Sequence, residues 1–302
     1  MIYSVGSIFL DHIIKINTFP KNPIKILAQG IEKRLGGSAA VASFTIKKLG
    51  LNTSFIGRLG NDDASKFLIG ELNKFNIKYK DSIIIKDAQS SQSYVLEDKR
   101  GERLLAAFNE KKLINNKKLP KISFTKNKTF IADIRWIEAT QYIANNCYKK
   151  NINLIVDLDN YKLDSKIKQI IAKASFPIFS ETGAIEFTKS NSIIKSLKKM
   201  NSNKKKFYAI TAGKRGVYWI ENSLIYNCQP PKIKAIETNC AGDVFHGAFA
   251  TFIHKKYSIM ESMKLATATA TLKCTKNGGI YSLPSYVSVK NFVKKIKVRK
   301  IK

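Results

Sequence analysis

Arginine is scarce in this chain although positive charge is not. Lysine and arginine together number 53 against 22 acids, a formal charge of +31, yet only seven are arginines: Arg34, Arg58, Arg100, Arg103, Arg135, Arg215 and Arg299. Surfaces that track a phosphate backbone are clustered and arginine-rich, whereas these lysines are spread along the whole sequence, so nucleic acid is not the expected partner. Cysteine is scarce as well. Cys147, Cys228, Cys240 and Cys274 form no CxxC pair and have no histidine at a ligand spacing, which argues against zinc and for reduced thiols. No apolar run approaches the roughly 18 residues of a membrane span. The opening MIYSVGSIFLDHI also lacks a basic leader and a small-residue cleavage site, so a soluble cytoplasmic protein with no membrane partner is expected. Internal repeats, low-complexity tracts and linkers rich in proline and glycine are missing too, which leaves one domain over residues 1–302.

What is present is a regular alternation. IYSVGSI reads as a buried strand, and LDHIIKINTFP and IKILAQG alternate as half-exposed strands ahead of the first helix. GGSAAVASFTIKKLG supplies two glycines, a capping serine, an amphipathic run and a closing Gly50, and NTSFIGRLG follows as a strand. DASKFLIGELNKFNI repeats the helical period, while SQSYVLED and ERLLAAF flank DKRG as a hairpin. From about Lys128 the order is TFIADI strand, WIEATQYIANNCYKK helix, INLIVDLD strand, a short helix after Leu163, FPIFS strand, a helix from Glu181 and KFYAIT strand. Such alternation builds a parallel sheet with helices on both faces. GVYWIEN and SLIYNC read as antiparallel edge strands, and helices from Ala241 to Lys255 and Met260 to Thr275 finish the core. The fold class is therefore α/β, a layered sandwich around a mostly parallel sheet, with a small β lid from residues near 10–35 and 85–108.

In such sheets ligands lie beyond the carboxyl ends of the strands. In ETNCAGDVFHGAF, Glu237 to Phe249, Ala241 and Gly242 allow a tight turn into an apolar helix whose first amides are unpaired donors of partial positive charge. An anion is stabilised there, and Asp243 stands beside it, placed to take a proton from an attacking hydroxyl. A helix cap accounts for the same residue, and spacing alone does not separate the two readings. TAGKRG, Thr211 to Gly216, lacks the earlier glycine and the following Ser or Thr of a Walker loop, and an ordinary glycine-rich hairpin accounts for it equally.

ETNCAGDVFHGAF resembles the C-terminal signature of the ribokinase-like (PfkB) sugar kinases. GGSAAVASFTIKKLGLNTSFIGRLGNDD resembles their N-terminal glycine pair with its helix, strand and turn, and the likeness runs from about Gly6 to Pro284. It implies the ribokinase-like three-layer fold with its lid, ATP and Mg²⁺ as cofactors, Asp243 as catalytic base, and an anion hole from the amides of Cys240, Ala241, Gly242 and Asp243. By the same likeness Thr211, Gly213 and Gly216 in TAGKRG, with Asn277 and Gly278 in TKNGG, bind nucleotide, and Asp11, Gly36 and Gly37 hold the sugar. Three departures matter. Cys240 replaces a glycine of the hole, which is expected to survive if that residue keeps φ below zero. Glu237 replaces an aspartate near a monovalent-cation loop, which leaves cation use open. The family's Asn-x-x-Glu motif stands as SETG, Ser180 to Gly183, with Glu181 as a substitute acting through water.

Val41, where ribokinases carry asparagine, disfavours a neutral pentose. AQSSQSYVLEDKRGER, ADIRW, FSETGA, AGDVFHGAF and LKCTKNGG resemble one branch of the family, the 6-deoxy-6-sulfofructose kinases. Arg135, just past the FIADI strand, is then the expected clamp for an anionic group on the sugar, with Lys25 as a second contact. A surface ion pair of Arg135 with Asp133 or Glu138 is the alternative. The expected reaction is ATP-dependent phosphorylation of a ketose primary hydroxyl, 6-deoxy-6-sulfofructose to its 1-phosphate, with a fructokinase, ketohexokinase or other carbohydrate kinase of the family as the alternative. From a different class, an inactive regulator that binds sugar or nucleotide fits the same motifs. A homodimer through the lid is expected, because exposed strand edges are costly unless paired.

Overall fold

The computed structural model describes residues 1–159, 164–202 and 207–301. Its large sheet has nine strands in the order Lys297–Ile301, Leu224–Gln229, Val217–Glu221, Tyr208–Thr211, Phe176–Ser180, Asn153–Leu158, Thr129–Asp133, Ile2–Val5 and Thr53–Ile56. The six from Tyr208–Thr211 to Thr53–Ile56 run parallel, and the first three pair antiparallel. Short β-branched and aromatic runs suit strands covered on both sides, and every residue of Thr53–Ile56 and Thr129–Asp133 is buried. Successive side chains point to opposite layers. Phe130 and Ala132 pack with residues of the helices Ile137–Lys150, Ser165–Lys173, Glu181–Thr188 and Ile193–Met200. Ile131 and Ile155 pack with residues of Ser38–Lys48, Ala241–His254 and Ile259–Cys274 on the other face.

A second sheet has the order Gly30–Gly36, Phe9–Lys15, Gln92–Glu97, Arg103–Phe108. Its inward residues Leu10 and Leu35, with Ile8 just before it, join Phe44, Phe55, Leu68 and Val244 in a separate cluster, while Ile31, Tyr94, Leu104, Leu105 and Phe108 are exposed. The DKRG hairpin turns at Gly101, whose φ is 81°, and the Asp98 carboxylate accepts from the amides of Arg100 and Glu102 at 2.8 and 2.9 Å.

The expected helices and strands are present with small shifts at their ends; Leu163 and Lys206, quoted at the edges of two of them, lie outside the described residues. Two differences have clear causes. IKILAQG is not a strand: Pro20 and Pro23 interrupt pairing before it, and the partner of Phe9–Lys15 begins only at Gly30. Lys297–Ile301 adds an unforeseen ninth strand on Leu224–Gln229, and its three cations, Lys297, Arg299 and Lys300, are what an exposed sheet edge carries. Among the described residues no helix is long and apolar enough to cross a membrane.

Candidate active site

Beyond the carboxyl ends of the parallel strands lies a cleft of about 700 Å³, lined by acids, serines and glycines and by Arg58, Arg103 and Arg135. Its frame is Asp133, the last residue of the fully buried strand Thr129–Asp133. The Asp133 carboxylate accepts from the Ser7 amide and hydroxyl, both at 2.7 Å, from the Ala39 amide at 3.2 Å and from the Arg135 amide at 2.9 Å. One side chain thus joins the end of the first strand, the start of helix Ser38–Lys48 and the turn that carries Arg135. Gly6 makes room for it: at φ 143° a Cβ there would fall 2.3 Å from the Asp133 Cγ. Sequence reading passed over this role, although an acid closing the run TFIAD was its signal.

Asp243 lies in the first turn of Ala241–His254 and lines the cleft. Burial pushes its carboxyl up to about 7, with the neighbouring charge of Asp157 adding to it and the Ser38 hydroxyl and His246 opposing. Asp157, also buried, has its own carboxyl pushed well up by burial and by Asp133 and Asp159. His246 donates from Nδ1 to the Gly242 carbonyl at 2.7 Å and brings Nε2 to 3.6 Å from the Asp157 carboxylate, while burial keeps its imidazole on the neutral side. Asp157 and His246 were both missed; each sits inside an apolar run that reads simply as core.

The expectation for Cys240 is corrected. Its φ is 58° with ψ 11°, the left-handed region, not a negative φ. The chain enters the helix through that residue, since the Ala241 amide turns back to the Thr238 carbonyl at 3.3 Å and Val244 N to Cys240 O at 2.9 Å is the helix's first bond. A glycine would take this conformation freely, whereas a cysteine is strained by about 1 kcal/mol. With the Ala241 amide engaged in the turn, Gly242 and Asp243 supply the leading orphan donors of the helix start.

Asp11 lines the same cleft and accepts from the Ser93 hydroxyl at 2.6 Å; burial raises its carboxyl against that bond. Gly36 and Gly37 are there for space. A Cβ on Gly36 would lie 2.0 Å from the Asp11 Oδ2, and one on Gly37, at φ 95°, would lie 2.6 Å from the Ile8 Cα.

Arg135 lines the cleft, as its position after the strand implied, and two further arginines join it. Arg58 lies over the Trp136 ring at 5.0 Å and donates to the Ile114 carbonyl at 2.6 Å, and Arg103 pairs with Glu97 at 2.7 Å. Trp136 is buried and its Nε1 has no partner among the described residues. Lys25 does not join this group: it is exposed on the segment before Gly30 and does not line the cleft.

The nucleotide candidates stand apart from the cleft. Thr211 ends its strand and donates to the Phe179 carbonyl at 3.3 Å, Gly213 opens a short 3-10 turn, and Gly216 admits no side chain because a Cβ would fall 2.0 Å from the Cys228 carbonyl oxygen. TAGKRG is thus a hairpin connection, closed by Ala212 N to Gly216 O at 2.8 Å. Glu181 pairs with Arg215 across it, and Ser180 caps its helix by accepting from the Gly183 amide at 3.1 Å. Asn277 accepts from Arg34 at 3.2 Å and from the Gly278 amide at 2.9 Å. Among the described residues no group of three or more His, Cys, Asp or Glu is placed to hold a metal ion.

A mostly parallel α/β sheet with a small separate sheet over its cleft is the ribokinase-like architecture. The structure of Arabidopsis thaliana ribokinase complexed with ribose and ATP matches it with a TM-score of 0.82 at 20% identity, over 97% of this chain and 98% of that one. Residues 1–286 match the family described as pfkB family carbohydrate kinase, and the chain belongs to that family. It is similar to the ATP-dependent 6-phosphofructokinase of Thermoanaerobacterium thermosaccharolyticum, 25% identical over 89% of this chain and 87% of that one. It is similar also to Probable fructokinase-5 of Arabidopsis thaliana, 24% identical over 97% of each. The protein is a phosphotransferase with an alcohol group of a carbohydrate as acceptor.

Proposed function

We propose that the chain transfers the γ-phosphoryl group of ATP to the primary hydroxyl of an anionic ketose, with 6-deoxy-6-sulfofructose as acceptor and its 1-phosphate as product. One observation carries the choice of an anionic sugar: three of only seven arginines, Arg58, Arg103 and Arg135, line the cleft that holds Asp243. A guanidinium takes a sulfonate, phosphate or carboxylate through paired hydrogen bonds. Asp11 accepts from sugar hydroxyls, and Asp243 removes the proton of the attacking hydroxyl. The Gly242 and Asp243 amides and the positive helix end receive the charge of the transferring group. The TAGKRG hairpin and the Asn277–Gly278 turn flank the nucleotide. Mg²⁺ would be carried by the ATP phosphates and would neutralise charge on the transferring group.

A neutral ketose is the second reading, favoured by the similarity to a plant protein named a fructokinase. Release of ADP, measured with neutral, sulfonated, phosphorylated and carboxylated sugars, separates them, and no turnover with any sugar would leave the inactive regulator. Arg135→Ala should lose about tenfold or more on the sulfosugar while sparing fructose; equal losses on both sink the clamp. The exposed Leu104, Leu105, Phe108 and Tyr94 support a homodimer through the small sheet, and a monomeric mass by sedimentation would contradict it. All four cysteines are free, which suits a reducing cytoplasm.

A further inference from the structure

Lys273 is fully buried, which is rare for an ammonium group and costs several kcal/mol unless the charge is met by good partners. Here all three of its protons are met by oxygen. Nζ lies 3.1 Å from the Glu237 carboxylate, 3.3 Å from the Glu237 carbonyl and 2.5 Å from the Asn239 carbonyl. Two backbone carbonyls and a carboxylate at such distances are the hard oxygen donors that an alkali cation takes. They belong to the segment that leads directly into Cys240 and the helix start carrying Asp243.

The surroundings lock this arrangement. Glu237 also accepts from Arg34 at 2.5 Å and from the Gly279 amide at 3.1 Å. Burial alone would raise its carboxyl, but Lys273, the Gly279 amide and Arg34 hold it below the usual range. The amides of Ile236 and Glu237 reach the Cys274 carbonyl at 2.8 and 3.3 Å, so the end of helix Ile259–Cys274 grips the segment by backbone as well. The turn is therefore pinned from Ile236 to Asn239, the residue immediately before the strained Cys240. A mobile cation does not fit between Glu237 and Asn239, because the ammonium already occupies their oxygens.

We infer that Lys273 is a positioning residue whose tethered ammonium does the work of a bound monovalent cation, holding the anion-hole turn in place so that turnover needs no potassium or sodium. The inference rests on the reading of that turn as the anion hole, and one of its tests is independent of turnover. In crystals of the wild type soaked in rubidium chloride, no anomalous peak is expected between the Glu237 and Asn239 carbonyls; in Lys273→Ala a rubidium ion should appear there. Rubidium at those carbonyls in the wild type, or none in the variant, overturns the inference. Kinetically, wild-type turnover in potassium chloride against choline chloride at equal ionic strength should differ by less than the roughly fivefold floor of ordinary site coupling; a larger rise overturns it. Lys273→Ala should lower kcat by about tenfold or more with little change in sugar KM, as expected of misplaced catalytic groups. Ammonium or potassium should restore part of that loss, which a purely structural defect would not allow. If the variant fails to fold, the two wild-type measurements decide. If the wild type phosphorylates no sugar, the kinase function fails while the rubidium result still stands or falls on Lys273.

Discussion

The cleft carries two sets of charge on different supports. Asp243 lines it from a core helix, and behind it the large sheet buries Asp133, which accepts from backbone amides, and Asp157, which faces His246. Arg58, Arg103 and Arg135 stand on a short strand, on the exposed edge strand of the small sheet and on a strand-to-helix turn. Rigid buried acids suit chemistry, where a fraction of an ångström matters. Guanidinium groups at the rim suit recognition, because their planar forks pair with an anionic group. Under the proposed function, Asp243 in the first set does the chemistry and the second set chooses the acceptor.

The largest expected effect breaks the first set. Asp243→Asn should lower kcat by about a hundredfold or more while leaving ATP binding intact, since only the proton acceptor is lost; near-normal turnover returns Asp243 to a helix cap. The same substitution sharpens the linkage. A carboxyl raised to about 7 favours its protonated form in the fold, so Asp243 contributes stability at low pH that is lost as pH rises through about 7. Asn carries no such penalty, and its thermal midpoint should exceed that of the wild type above pH 7 and converge with it in acid. Next in size is the rate profile. The base must be deprotonated, so kcat/KM should fall up to about tenfold per pH unit below 7 and level off above it. A flat profile between pH 5 and 8, about two units below and one above the group's range, contradicts Asp243 as base. The smallest effect concerns the turn itself. Cys240→Val should destabilise by about 1–2 kcal/mol, because a branched side chain resists φ 58°, whereas Cys240→Gly should leave stability within about 1 kcal/mol and preserve turnover. Denaturant midpoints for the two variants in the reverse order would show that the thiol's packing, not its backbone, decides the site.

The acid at the helix start and the glycine pair were legible in the sequence because both are local: a tight turn and a close approach need those residue types wherever they occur. The alternation of strands and helices was legible for the same reason. Asp133, Asp157, His246 and Lys273 were not. Each is a polar residue in an apolar or lysine-rich stretch, and its meaning comes from partners far away along the chain, as with Asp133 and Ser7 or Lys273 and Glu237. Arg58 and Arg103 likewise are seen to line the cleft only in the folded chain. Cys240 shows the limit differently: the letter was noticed, but its sign of φ goes with the bonds from Ala241 N to Thr238 O and from Val244 N to Cys240 O, which no single residue announces.

The division of labour is tested most directly by the ratio of kcat/KM for 6-deoxy-6-sulfofructose to that for fructose in the wild-type enzyme. Paired guanidinium contacts to an anionic group predict a ratio of about ten or more, equivalent to at least about 1.4 kcal/mol of transition-state binding. A ratio at or below one would show that the arginines lining the cleft do not choose the acceptor.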